Sequence, residues 1–205
     1  MKLLRRIAAA GLLLLTGATF AESADPADVV RATADEIMAS VEANRALYAT
    51  DPAPLRREIR AILDDQVAFE RIARGVMGRH RKAASNEEAD RFATVFTETL
   101  IQLYAGALVA LEASSIDVLP AERTREDRAR VTMDVTTTDG QQFKLFYSMA
   151  LDDNRWQVRN MVVDGINLGV TFRNQFDALM GENGGSVAAV VDAWAEASAA
   201  TASGS

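Results

Sequence analysis

Near Ser114 the apolar residues of this chain stop recurring every three or four positions and begin to alternate. A period of 3.6 marks one buried face of a helix and a period of 2 one buried face of a strand, so the change divides the chain into a helical part and a sheet part. Before it, Asp25-Pro26 reads as an N-cap with Pro at the first helical position, and Val29, Val30, Thr33, Ile37, Val41 and Leu47 follow at helical steps. Asp51, Pro52 and Pro54 break that helix. A second is predicted from about Leu55, with Ile59, Ile62 and Leu63 inward; a third carries Phe69, Ile72, Ala73, Val76 and Met77 up to Gly78. Ser85 and Glu88 have the spacing of a capping box, and they launch the longest helix. Its apolar face runs through Phe92, Phe96, Leu100, Leu103, Tyr104, Leu108 and Leu111. From Asn86 to Glu112 it would be roughly 40 Å long at 1.5 Å per residue.

After the change, Ile116 and Val118 predict a short strand ending at Pro120. Val131, Met133 and Val135 predict a second, Phe143, Leu145, Tyr147 and Met149 a third, and Trp156, Val158, Val162 and Val163 a fourth. Asp139-Gly140 is a hairpin signal, and Asp152 to Asn154 links the third strand to the fourth. Asp164-Gly165 stops the fourth strand, and Leu168, Phe172, Phe176 and Leu179 return to helical spacing. Gly184-Gly185-Ser186 then breaks and caps a last helix containing Val187, Val190, Val191 and Trp194. Helices first and antiparallel strands afterwards give an α+β domain, with helices packed on one face of a curved, mainly antiparallel four-stranded sheet of NTF2-like form. A long helix across such a sheet can enclose an apolar cavity.

The first 21 residues read as a cleaved leader. Lys2, Arg5 and Arg6 precede a short apolar run, and Thr19 and Ala21 occupy the −3 and −1 positions of a cut after Ala21. The run is too short to span a bilayer, which takes about 20 apolar residues. No cysteine occurs anywhere, so a lipoprotein anchor, disulfides and thiolate chemistry are all excluded, and the expected product is soluble and exported. Losing the three basic residues of the leader deepens the net charge from −7 to about −10, against binding nucleic acid or anionic membranes by bulk charge. Residues 22–198 are predicted as one domain and 199–205 as a disordered tail.

Catalytic sets are missing from the pattern. His80 is the only histidine and lies in an Arg/Lys-rich segment without a second metal-ligating residue beside it, so it reads as a helix-end residue. Asp64-Asp65 and Asp152-Asp153 are adjacent, and neighbours on a helix or strand point in different directions. No Gly-x-Ser-x-Gly elbow or phosphate-binding Gly-rich loop is present. An apolar inventory without reactive groups suits a carrier of an acyl chain, which gains about 0.8 kcal/mol per buried methylene and needs only a dry slot.

The run from Trp156 through Val162-Val163-Asp164-Gly165-Ile166-Asn167-Leu168 to Phe172-Arg173-Asn174-Gln175-Phe176 resembles the signature of the MlaC family, periplasmic phospholipid-binding components of the lipid-asymmetry (toluene-tolerance) transport system. Phe69, Gly78, the helix from Phe92 to Tyr104, and Tyr147 match as well, so the resemblance covers most of residues 28–195. The chain departs from the pattern at Ala68-Phe69, where Asp-Phe is common, and at His80-Arg81, where an aromatic residue is common.

The resemblance implies a monomeric shuttle, not an enzyme, with no cofactor or metal and with phospholipid as cargo. Its implied partners are an outer-membrane lipoprotein complex and an inner-membrane complex of an MCE-domain protein with an ABC transporter. Leu103, Tyr104, Tyr147, Met149, Val163, Leu168, Val170 and Phe172 are placed around the tails. Arg173 stands at the mouth, as a phosphate or partner-docking residue or as a salt bridge anchoring its helix. Asn167 and Gln175 read as hydrogen-bonding supports of the turn, and Gly165 and Gly169 as the residues that let the chain turn. Two other readings stay open: an enzyme on a cone-shaped α+β scaffold, which needs a buried acid/base pair, and an adaptor with a solid core.

Overall fold

The computed structural model describes residues 24–203, with side chains to residue 197, so the leader lies outside the described residues. Helix α1 (Pro26–Thr50) begins where Asp25 accepts a 2.8 Å bond from the Ala27 amide, and it kinks at Asn44. Helices α2 (Ala53–Asp64) and α3 (Phe69–Val76) follow, then a 3-10 turn at Gly78–Lys82. Helix α4 (Asn86–Ala110) starts from the Ser85–Glu88 capping box, both halves of which are formed. The period change then marks the start of β1 (Ala113–Val118), β2 (Glu122–Arg125), β3 (Arg128–Thr137), β4 (Gln142–Asp152), β5 (Arg155–Val163) and β6 (Ile166–Asn167), and the chain closes with α5 (Leu168–Glu182) and α6 (Val187–Ser203).

The sheet has six strands, not four. Its order is β1-β3-β4-β5-β6, all antiparallel, with β2 sharing the β3 edge that β1 uses. Strand β2 is Glu-Arg-Thr-Arg, exposed throughout, so it carries no alternation of apolar residues for a pattern to detect. Strand β6 is two residues long and follows a turn with positive φ at both Asp164 and Gly165. That turn reverses the chain into a further hairpin rather than merely ending β5. The other edge of β5 is not left bare where β6 stops: Val67 bridges to Val158, with bonds from Ala68 N–H to the Val158 carbonyl (3.1 Å) and from Val158 N–H to the Gln66 carbonyl (2.9 Å).

A bulge between β4 and β5 decides which residues share a face. Met149 pairs with Val158 and Tyr147 with Met161, so Arg159 is the extra residue. The insertion shifts the pleat by one, bringing Met161 and Val163 onto the face that Trp156 and Val158 occupy. Opposed residues share a face, which puts Ile116, Val118, Val131, Met133, Val135, Phe143, Leu145, Tyr147, Met149, Met161 and Val163 together.

Three apolar clusters hold the fold. Ala27 and Val30 of α1 cover the β3 column and pack with Met149 and Trp156. Val41 and Tyr48 of α1, Leu55 and Ile59 of α2 and Ile101 and Ala105 of α4 form a second. The third is helical, with Phe92 edge-on to Phe176 (4.8 Å) and to Trp194 (5.3 Å) and Phe96 edge-on to Phe172 (5.3 Å). Edge-to-face pairs contribute roughly 0.5–1.5 kcal/mol each beyond their buried area.

Candidate functional site

Burial of the shared sheet face is graded. Under α1 it is closed: Val131, Met133, Val135, Met149 and Trp156 are all buried. Toward the start of β4 and the end of β5 it opens, through half-buried Phe143, Leu145, Tyr147, Met161 and Val163 to Ile166, which is 59% exposed. A strip of apolar side chains on a sheet that its own helices do not fully cover is the feature of this fold that calls for an occupant.

Two helices carry further apolar surface beyond the cores. In α4, Leu100 packs against the helical cluster and Leu111 against the sheet cluster. Between these anchors Leu103 and Tyr104 stand 39% and 43% exposed. By length and composition α4 could cross a membrane, but Phe92, Phe96 and Ile101 are spent inside the fold. In α5, Leu168 is half-buried and Val170 is 48% exposed one turn before Arg173.

The start of α5 is clamped to β5. Asn167 is its N-cap, accepting from the Val170 amide at 3.1 Å, and its side chain also accepts from Asn160 Nδ2 at 3.1 Å. Asn160 Oδ1 in turn accepts from the Gly169 amide at 3.1 Å. A Cβ on Gly169 would lie 2.6 Å from that oxygen, so glycine is what lets the Asn160 side chain come this close; Gly169 already lies in α5, without the positive φ of a turn glycine. Asn167 supports the turn as expected; Gln175 is exposed on α5. Asn160 was missed because a single Asn inside a strand pattern carries no signal until its partner is known.

The expected tail-lining residues thus fall into three settings. Tyr147 and Val163 lie on the half-open strip, Leu103, Tyr104, Leu168 and Val170 flank the cores on α4 and α5, and Met149 and Phe172 pack in the sheet and helical clusters. Arg173 bonds to the C-terminal turn of α3, Nε donating to the Gly75 carbonyl at 3.1 Å, while its aliphatic stem lies over Gly78. That anchors the helix through a carbonyl rather than a carboxylate.

Two polar clefts lie elsewhere. One of about 460 Å³ is lined by α2, α3, α4, β4 and β5, and several of its charges pair across it: Arg60 with Asp64 (3.0 Å), and Arg71 and Arg159 both with Asp152 (2.9 Å each). The other, about 250 Å³, is lined by Met77, Gly78, Arg79, His80, Arg173, Asn174 and Asp177. There His80 Nε2 lies 2.6 Å from Asp177 Oδ1, and Arg79 reaches the same carboxylate at 2.8 Å. His80 therefore has an orienting partner, but the lining offers no hydroxyl or thiol nucleophile, and the trio ties the 3-10 turn to α5. The His80 hydrogen bond, with Arg79 adding charge, holds the Asp177 carboxyl below the ordinary range.

A family model described as MlaC protein matches residues 31–196. The chain belongs to the MlaC family. It is similar to the toluene tolerance protein ttg2D of Pseudomonas putida, 33% identical over 171 residues that span 83% of this chain and 80% of that one. It is also similar to the intermembrane phospholipid transport system binding protein MlaC of Haemophilus influenzae, 25% identical over 159 residues, 76% and 74% of the two chains. Among solved structures, the phospholipid-binding protein from Ralstonia solanacearum, in complex with a phospholipid, superposes with a TM-score of 0.78 over 86% of this chain and 98% of its own, at 23% identity. That last likeness carries the fold: helices and an open antiparallel sheet, as found in this MlaC-family chain.

Proposed function

We propose that this MlaC-family chain is a soluble periplasmic phospholipid carrier. The observation that carries the reading is the half-open apolar strip on the sheet, from Phe143 through Tyr147 to Val163 and Ile166. In this proposal the strip is one wall of a slot, α4 around Leu103 and Tyr104 and the first turn of α5 around Leu168 and Val170 are the others, and the acyl tails lie between them with the headgroup outside. The names of the P. putida and H. influenzae relatives, and the phospholipid held by the R. solanacearum protein, support phospholipid as the cargo. The leader pattern supports export, and the carrier then exchanges lipid between an outer-membrane lipoprotein complex and an inner-membrane MCE-domain and ABC-transporter complex. Nothing in this role requires a bond to be made or broken.

Native mass spectrometry of the protein purified from a Gram-negative periplasm, followed by lipid extraction, tests the reading. Stoichiometric phospholipid is expected. Protein that emerges lipid-free and takes up no phospholipid from vesicles would overturn it.

A further inference from the structure

Tyr147 sits at the centre of the half-open strip with apolar neighbours on every side of its register. Val131 lies across from it on β3 and Met161 on β5, Leu145 and Met149 flank it along β4, and Met133 is diagonal to it. Among the described residues its hydroxyl finds one hydrogen-bond partner, the Met133 sulfur at 4.0 Å, which is the outer limit for a weak acceptor. Burial pushes the phenol up to about 12, so it is a fully protonated donor at any physiological pH. A largely desolvated donor with only a weak sulfur acceptor gains little from its hydroxyl, and phenylalanine would fill the same space. Once the strip is occupied and water displaced, a stronger acceptor has to come from the occupant.

We propose that Tyr147 is a specificity-determining residue: its hydroxyl donates a hydrogen bond to an ester carbonyl oxygen of the bound phospholipid, where the tails join the glycerol. This rests on the carrier reading. A phosphate oxygen is excluded as the acceptor by its surroundings, because Val131, Met133, Leu145, Met149 and Met161 offer no cation and no second donor, and a charge placed there would be uncompensated. A neutral ester carbonyl tolerates such a setting, while the alkyl chain beyond it has nothing to accept with. The bond fixes how deep the lipid sits, since the tails start where the carbonyl is held.

The test compares the wild-type chain with Tyr147→Phe, using two phosphatidyl lipids of equal headgroup and chain length, one with ester-linked and one with ether-linked chains. Affinities are read by displacement of a fluorescent phospholipid. The wild type should prefer the diester roughly three- to tenfold, the range of one net hydrogen bond. Tyr147→Phe should bind the two lipids equally. A preference that survives the substitution, or a wild type without one, overturns the proposal. Melting of the lipid-free proteins supplies a second readout: the variant should be as stable as the wild type or more so, and a drop of several degrees would show that the hydroxyl has a structural partner instead. If the wild type loads neither lipid, it is the carrier reading that falls, and the ester contact with it.

Discussion

Val163 and Val170 are both expected around the tails, but the structure separates them. Val163 is half-buried on the inner face, opposite Leu145 on one side and Ile166 on the other. Val170 is 48% exposed in the first turn of α5. A glutamate at 163 would place a carboxylate among apolar side chains and, with lipid bound, beside acyl chains that displace its water. Full burial of an unpaired carboxylate costs many kcal/mol, but the strip is half-open, so the group can lean toward solvent. A penalty of about 2–3 kcal/mol on binding is the reasonable share, equal to a loss of roughly 30- to 150-fold at 1.4 kcal/mol per decade. At 170, on the more exposed rim of the slot, the carboxylate keeps much of its water, and a smaller loss of about three- to tenfold is expected. Both affinities are measurable by titrating a fluorescent phospholipid into lipid-free protein, with circular dichroism confirming that each variant keeps its helices. Equal losses at the two positions, or full affinity in Val163→Glu, would refute the assignment of the strip as the tail-facing wall.

Three further perturbations test how the site is held. Gly169→Ala puts a methyl 2.6 Å from Asn160 Oδ1, so the Asn160–Asn167 clamp must open; a loss of about 1–3 kcal/mol is expected by thermal or urea unfolding, together with weaker lipid binding. Phe92→Ala removes the hub of the ring cluster, which touches Phe96, Phe176 and Trp194, and should cost about 3–5 kcal/mol in the same assay. Asp177→Asn tests the tie between the 3-10 turn and α5. Because the folded state lowers the Asp177 pKa, its contribution is fully present above the ordinary carboxylate range and is lost as pH falls through the depressed value. The variant should therefore melt below the wild type at neutral pH, and the gap should close on acidification below about pH 4.

Much of the fold could be read locally. The Ser85–Glu88 box, the Asp25-Pro26 start and the Asp139-Gly140 hairpin each act within four residues, and each forms where the pattern puts it. What could not be read depends on pairing across the chain. The bulge at Arg159 exists only relative to β4, yet it decides that Val163 and not Val162 shares a face with Tyr147. Strand β2 is polar on both faces and is held by backbone bonds to β3, which no side-chain period reports. Arg173 illustrates the same limit at the site: its residue type suits a phosphate, while its Nε bonds to a carbonyl 98 positions away.

In the proposed carrier role the apolar term, which is by far the largest, does not decide whether lipid is loaded. Each methylene moved from water into the slot gains about 0.8 kcal/mol, but a lipid handed over from a bilayer or from another apolar pocket leaves hydrocarbon to enter hydrocarbon. The gain nearly cancels, and exchange is governed by the residual terms. One is the single hydrogen bond proposed at Tyr147. Another is the chain length left exposed at the open end of the strip near Ile166, which disfavours the bound state. Both are of the order of 1–2 kcal/mol, small enough for loading and release to be reversible at every encounter. On the carrier reading proposed above, direction must then come from outside the protein. An apolar strip left half-open, with one weakly satisfied donor in its middle, is physically suited to that near balance; a sealed and fully satisfied cavity would hold its lipid too tightly to pass it on.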